Sequence, residues 1–239
     1  MKYPHNQTTI TTTTLLLLLL TTLTPLTAAT PNLSSTILKI DPSTSTCSTK
    51  GECRTASQAA SHLLPSFQRH GVECKQEAAC LTALILFETD HLRYQHNVFP
   101  GRVGQGTANM QMCGFNVEYA SSDPELKTCF PDVVPQGAQP SEDQCRRALK
   151  CILERDDKSF DTPAWFLKNK CDKPLVRRKL REGGIAGCAA YLKECVGVDG
   201  SDSQRAAVNG MAYKAFGVTE ATACVPLDEQ QQQQQHPKC

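Results

Sequence analysis

The stretch that decides the fold is residues 80–112, CLTALILFETDHLRYQHNVFPGRVGQGTANMQM. It continues an apolar run that begins at Ala78 and ends at Phe87. A segment that is apolar on nearly every side predicts a helix through the middle of a core rather than on its surface. A strand here would be long and would place Glu77 and Glu88 awkwardly, so we favour a helix that ends at Glu88.

Glu88, at the end of this helix, is the main candidate for chemistry. Apolar neighbours such as Leu84 and Phe87 would remove water from its carboxyl group, and the negative end of the helix dipole would act in the same direction. Both effects favour the protonated form that a general acid requires. The alternative is that Glu88 only marks the point where the helix reaches water.

A polar loop leads from Glu88 to a glycine-rich element at Gly104–Met112. The apolar helix that ends in FET at 87–89, followed by GTANMQM at 106–112, resembles the lysozyme-like superfamily. GCAAYLKECVG at 187–197 resembles the closing helix of secreted, especially fungal, members. The resemblance covers roughly residues 74–216 and is strongest at 80–112.

The resemblance implies a mainly α, lysozyme-like single domain with a small irregular or β-hairpin lobe near 98–109. It also implies that Glu88 protonates the glycosidic oxygen of a β-1,4-linked amino-sugar polymer, either peptidoglycan or a chitin-type chain. Gln111 would position the substrate beside it. The other positions expected to bind substrate or shape the groove are Thr89, Gly106, Asn109 and Tyr94.

A second carboxylate is missing from the expected place. Glycoside hydrolysis commonly uses two carboxylates, but residues 91–117 contain neither Asp nor Glu. The chain therefore looks more like goose-type lysozymes and lytic transglycosylases, in which catalysis relies chiefly on one Glu. The substrate's own acetamido or 6-hydroxyl group could replace the second carboxylate. Glu118 or Asp123 could supply a base if the fold returns them to the groove.

Two other classes of function stay open. The first is a non-catalytic secreted glycan binder, or an effector-like protein, on the same fold. The second is an extracellular structural protein without a groove. We expect a polysaccharide partner, no nucleic acid, no membrane association after signal removal, and a monomer.

Other candidate side chains have simpler explanations. Asp90, His91 and His96 could be metal ligands, but their spacing is not helical, and we expect no metal and no cofactor. Tyr94, Phe99 and Trp165 could stack on sugar rings. Trp165 lies in an amphipathic stretch, which favours packing in the core.

Cysteine usage and the N-terminus predict secretion. Residues 1–29 resemble a signal peptide, with Lys2, the run Leu15–Leu20 and small residues up to Ala29. Thirteen cysteines then predict a disulfide framework in an oxidising compartment. Their odd number leaves Cys239 as the expected unpaired thiol. A zinc module would need closely spaced pairs such as C-x2-C, which the sequence lacks.

The remaining chain divides by composition. Residues 30–46 are rich in Ser, Thr and Pro and predict a flexible leader, in which Asn32-Leu33-Ser34 matches the N-glycosylation motif. Residues 47–224 would form the lysozyme-like domain and residues 225–239 a disordered, Gln-rich tail. A net charge of +1 offers no attraction for nucleic acid. The basic group Arg177, Arg178, Lys179 and Arg181 is expected to form a solvated helix face.

Apolar residues at helical spacing predict further helices. A capping box, Ser141-x-x-Gln144, marks the start of one of them. The predicted helical segments are 56–67, ending near Gly71, then 145–152, 163–170 with Asp161 or Thr162 as its cap, 185–195 and 208–216.

Overall fold

The apolar run forms helix α3 (Lys75–Glu88), which lies at the centre of the fold. We describe residues 32–47, 51–135, 137–171 and 173–227 from a computed structural model. Every residue from Gln76 to Leu86 is buried, which confirms the prediction of a helix surrounded by core. Glu77 closes the N-terminus of α3, because its Oε2 accepts a hydrogen bond from the backbone N–H of Cys74 at 3.3 Å.

The fold class is mainly α, as predicted. The other helices are α1 (Leu33–Ile40), α2 (Ala56–Arg69), α4 (Cys113–Ser122), α5 (Glu142–Leu153), α6 (Asp156–Ser159), α7 (Thr162–Lys170), α8 (Pro174–Glu182), α9 (Gly184–Tyr191) and α10 (Ser203–Ala215). A π-helical turn, Leu192–Val196, continues α9. The capping box of Ser141 and Gln144 opens α5 as predicted. Leu64 and Met211 belong to the apolar residues at helical spacing that predict the segments 56–67 and 208–216, but they are 41% and 45% exposed.

Two apolar clusters build the interior. The larger surrounds α3 with residues of α1, α2, α8, α9 and α10. The smaller lies between α4, α5 and α7. Val196 packs against both clusters, so the segment that follows α9 lies at the seam between them.

The segment 98–109 is irregular, and the hairpin alternative is wrong. The described residues contain no strand here, only isolated pairings of Gly106 with His96 and with Gln111. A Cβ atom on Gly106 would lie 2.5 Å from the backbone oxygen of Gln95, so only glycine fits. Thr107 (φ 70°) takes a left-handed conformation, which interrupts any regular ladder.

Disulfide bonds pair twelve of the thirteen cysteines, as the composition predicts. The pairs are Cys47–Cys53, Cys74–Cys224, Cys80–Cys188, Cys113–Cys145, Cys129–Cys151 and Cys171–Cys195. Cys80–Cys188 ties α3 to α9 across 108 residues. Cross-links of such long loops contribute about 4–5 kcal/mol each by restricting the unfolded chain. Cys239 lies outside the described residues.

The expected flexible leader, 30–46, instead contains α1. Ile37 and Ile40 are buried against the main core, and the Asn32 side chain caps the helix by accepting a hydrogen bond from the Ser34 N–H at 3.0 Å. Residues 225–227, predicted to belong to the disordered tail, are instead held to the fold, because the Val225 oxygen accepts from the Lys75 N–H at 2.7 Å. Residues 1–29 and 228–239 lie outside the described residues.

The basic group on α8 is not simply a solvated face. Arg177 and Arg181 each donate from Nε to the buried carboxylate of Glu77, at 2.9 Å. A fully buried carboxylate needs such partners to offset its lost hydration. Nowhere in the described chain is a helix long and apolar enough to cross a membrane.

Candidate functional site

A cleft of about 250 Å³ opens beside the C-terminal end of α3. Its walls come from Glu88, from the loop 102–112, from Phe115 and Phe166, and from the segment 196–198. Among the described residues that line it, Glu88 is the one carboxylate. The structure therefore brings Glu88, Asn109 and Gln111 to one cleft. Its volume is just below the ~300–1,000 Å³ usual for small-molecule sites.

The Glu88 carboxylate is ion-paired. Its Oε1 accepts a hydrogen bond from Nη2 of Arg205 at 2.7 Å, and the two side chains are 19% and 12% exposed respectively. The Arg205 guanidinium also lies 4.1 Å from the centre of the Phe87 ring, a cation–π contact. The apolar surroundings expected from the sequence are therefore joined by a cationic partner.

Arg205 is fixed from its own helix as well. Asp202 caps α10 by accepting from the backbone N–H groups of Gln204 and Arg205, each at 3.1 Å. Nη1 of Arg205 is buried and has no hydrogen-bond partner among the described residues. Sequence reasoning missed Arg205 because it lies 117 residues from Glu88 and no local pattern distinguishes it.

The Gln111 amide holds the cleft wall together. Its Nε2 donates to Oδ1 of Asn116 at 2.7 Å, and its Oε1 accepts from Nδ2 of Asn109 at 3.4 Å. Asn116 in turn donates to the Gly104 oxygen at 2.8 Å. Gln111 is only 5% exposed. It therefore shapes the groove, and both ends of its amide are already bonded to the protein.

Asn109 joins this loop to α7. Its Oδ1 accepts from the hydroxyl groups of Thr107 and Thr162, each at 2.9 Å. Thr162 follows Asp161, a buried carboxylate that accepts from His70 at 2.8 Å and from Arg69 at 2.7 Å. Burial acts to raise the pKa of Asp161, but the hydrogen bonds from His70 and Arg69 outweigh it and lower the pKa to about 2.

Three predicted site residues do not line the cleft. Thr89 is buried and ends α3, because its hydroxyl donates to the Ile85 oxygen at 2.7 Å and accepts from the Leu92 N–H at 2.9 Å. Gly106 lies against the backbone oxygen of Gln95, where a side chain would not fit. Tyr94 is absent from the described residues that form the walls. Neither residue type nor position near a motif determines the direction in which a side chain points.

The candidates for a second carboxylate have other partners. Asp123 pairs with Lys158 at 2.7 Å, and Glu118 pairs with Lys170. Neither lines the cleft.

The remaining aromatic and histidine candidates lie elsewhere. Trp165 is 7% exposed and packs edge-on against Tyr119, which confirms its role in the core. Phe99 is 90% exposed. His91 pairs with Asp41 and His96 with Glu52, and the described part of the chain holds no group of three or more potential metal ligands.

Comparison with known proteins gives a limited result. No family model and no solved structure matches the chain. The chain is similar to a protein of Fusarium oxysporum (strain Fo5176) named as a bifunctional dioxygenase–epoxy alcohol synthase, with 38% identity over 145 residues. The match covers 59% of this chain but 11% of that protein. The two activities in its name belong to a much longer protein, of which this chain spans about a tenth.

Proposed function

We propose that the chain is a secreted protein with a lysozyme-like fold that binds a β-1,4-linked amino-sugar polymer in the cleft and cleaves it with Glu88 as the general acid. The observation that carries this proposal is the shared cleft of Glu88 and the Asn109–Gln111 wall. Six disulfide bonds fit export to an oxidising compartment.

The geometry leaves Glu88 one oxygen for chemistry. Oε1 is held by Arg205, whereas Oε2 receives no hydrogen bond from the described residues. The side chain is 19% exposed and faces the cleft, so a glycosidic oxygen could approach Oε2. Because no second carboxylate lines the described walls, the substrate's acetamido or 6-hydroxyl group would complete the reaction.

Arg205 sets a condition on this mechanism. A general acid must present its carboxyl group to the leaving oxygen, and the hydrogen bond from Arg205 to Oε1 fixes the direction in which Oε2 points.

The same ion pair favours a second candidate, a binder that does not cleave. A carboxylate held permanently by Arg205 could accept hydrogen bonds from sugar hydroxyl groups without ever donating a proton. The cleft, its amide-rich wall and the partly exposed Glu88 would then serve recognition only. This candidate differs from the first in turnover, not in the ligand class.

The decisive experiment measures both binding and products. The purified mature protein would be incubated with peptidoglycan and with chitin from acidic to neutral pH, and reducing ends and anhydro-sugar ends would be quantified. We expect product release that Glu88→Gln abolishes. Glu142→Gln, which changes an exposed carboxylate on α5, is the matched control and should retain activity.

The outcomes separate the candidates. Binding without product at any pH would support the non-cleaving candidate and exclude the enzyme. Full activity in Glu88→Gln would show that Glu88 is not the acid. Neither binding nor product with any amino-sugar polymer would remove both candidates.

A further inference from the structure

We propose that Arg102 binds a carboxylate of the substrate, so that the cleft prefers amino-sugar chains with acidic substituents to neutral ones. This inference rests on the proposed function and goes further by choosing between its two polymer classes. It starts from the balance of charge along the cleft.

The charged side chains among the described residues of the cleft wall are Glu88 and Arg102. The charge of Glu88 is compensated by Arg205 at 2.7 Å. No carboxylate of the described chain forms an ion pair with Arg102, although most other arginines of the fold have one. The uncompensated charge of the cleft is therefore the positive charge of Arg102.

The backbone of Arg102 is well anchored. Oδ1 of Asn97 accepts hydrogen bonds from the N–H groups of Gly101 and Arg102, at 2.8 and 3.2 Å. The Arg102 oxygen accepts from the Gln105 N–H at 3.2 Å. The side chain leaves this closed turn and is exposed at the cleft wall. A ligand in the cleft can therefore contact a guanidinium that has no ion-pair partner among the described residues and whose backbone is held in place.

Guanidinium chemistry points to the ligand group. The planar fork of arginine matches a carboxylate with two parallel hydrogen bonds, which a neutral hydroxyl or acetamido group cannot equal. Peptidoglycan carries lactyl ether and peptide carboxylates on every second sugar, whereas chitin-type chains carry none. The charge of the cleft therefore favours the peptidoglycan class.

The expected effect is moderate because the side chain is exposed. Solvent and salt weaken such a pair, so we expect removal of Arg102 to weaken binding of an acidic ligand about fivefold. Binding of a neutral ligand should change by less than about twofold.

The test uses two tetrasaccharides of equal length, one with lactyl carboxylates and one of the neutral chitin type. Calorimetric titration of the full mature protein would give their affinities, with analysis of the recovered ligand to show that it stays intact. Arg102→Gln is the variant. Arg178→Gln, an exposed arginine on α8 outside the cleft wall, is the matched control. Titration of the wild-type protein at low and high salt adds a measurement that needs no variant.

We expect the wild-type protein and Arg178→Gln to bind the acidic tetrasaccharide more tightly, and we expect salt and Arg102→Gln to remove that advantage. Equal affinity for the two ligands, or an unchanged preference in Arg102→Gln, would overturn the inference while leaving the proposed function in place. Binding of neither ligand would overturn both.

Discussion

Replacing Arg205 by Gln tests the ion pair that decides the chemistry of Glu88. The substitution removes a charge-assisted hydrogen bond of 2.7 Å and a cation–π contact of 4.1 Å. Such a hydrogen bond contributes about 1.5–3 kcal/mol and such a stack about 0.5–2 kcal/mol. Partial exposure of both side chains lowers the sum, so we expect the free energy of unfolding to fall by about 2 kcal/mol. Urea unfolding, followed by circular dichroism, measures this loss.

The rate of cleavage gives the sharper result. The hydrogen bond from Arg205 holds Oε1 of Glu88, so its removal lets the carboxyl group turn away from the cleft. A catalytic group that is less well oriented reacts more slowly, so we expect the rate of product release to fall about tenfold. Steady-state rates of product release measure this loss.

Two controls accompany this experiment. Arg205→Lys keeps the charge and should lower the rate less. Arg146→Gln breaks an exposed pair with Glu142 on α5 and should cost less than about 0.5 kcal/mol. An unchanged or faster rate in Arg205→Gln would refute the idea that Arg205 orients Glu88.

Three further predictions concern the scaffold. Glu77→Gln should destabilise the fold by about 3–5 kcal/mol in urea unfolding, because it leaves Arg177 and Arg181 without their buried carboxylate; a loss below 1 kcal/mol would contradict this. The pKa of Asp161 falls from 3.8 to about 2 on folding, so its contribution of about 2 kcal/mol is present above pH 3.8 and is lost as pH falls towards 2. The stability difference between the wild-type protein and Asp161→Asn should shrink over that window, and a difference that stays constant would exclude the linkage. Gly106→Ala should cost several kcal/mol of thermal stability, because its Cβ would lie 2.5 Å from the Gln95 oxygen, whereas Gly114→Ala on α4, with open space around its Cβ, should be neutral or stabilising by up to about 1 kcal/mol.

Local patterns predicted the elements that depend on local physics. The apolar run of α3, the capping box of α5 and the cysteine count each carry their explanation in neighbouring residues or in composition. The pairing of Glu88 with Gln111 was expected from the resemblance to the lysozyme-like superfamily and not from local physics, because about twenty residues separate the two positions.

Long-range contacts explain what the sequence could not predict. The Ser, Thr and Pro content of residues 30–46 predicts a flexible leader, whereas the structure has helix α1 there. The helix is stable because Ile37 and Ile40 are buried against helices far along the chain. The ion pairs of Arg205 and of the basic group on α8 also depend on residues far apart in the sequence. A positive charge has no periodic signature, so only the fold shows which carboxylate it meets.

The two ends of α3 show why Glu88 rather than Glu77 is the candidate for chemistry. Both residues lie on α3, and the carboxylate of each one forms an ion pair with arginine from another helix. Glu77 is fully buried, and its two oxygens accept from Arg177, Arg181 and the N–H groups of Glu73 and Cys74. No capacity remains for a ligand, so Glu77 serves the fold. Glu88 has one arginine, one oxygen that no described donor occupies, and a cleft in front of it. Because the two residues share charge, helix and type of partner, unused bonding capacity is what separates a structural carboxylate from one that can act on a substrate.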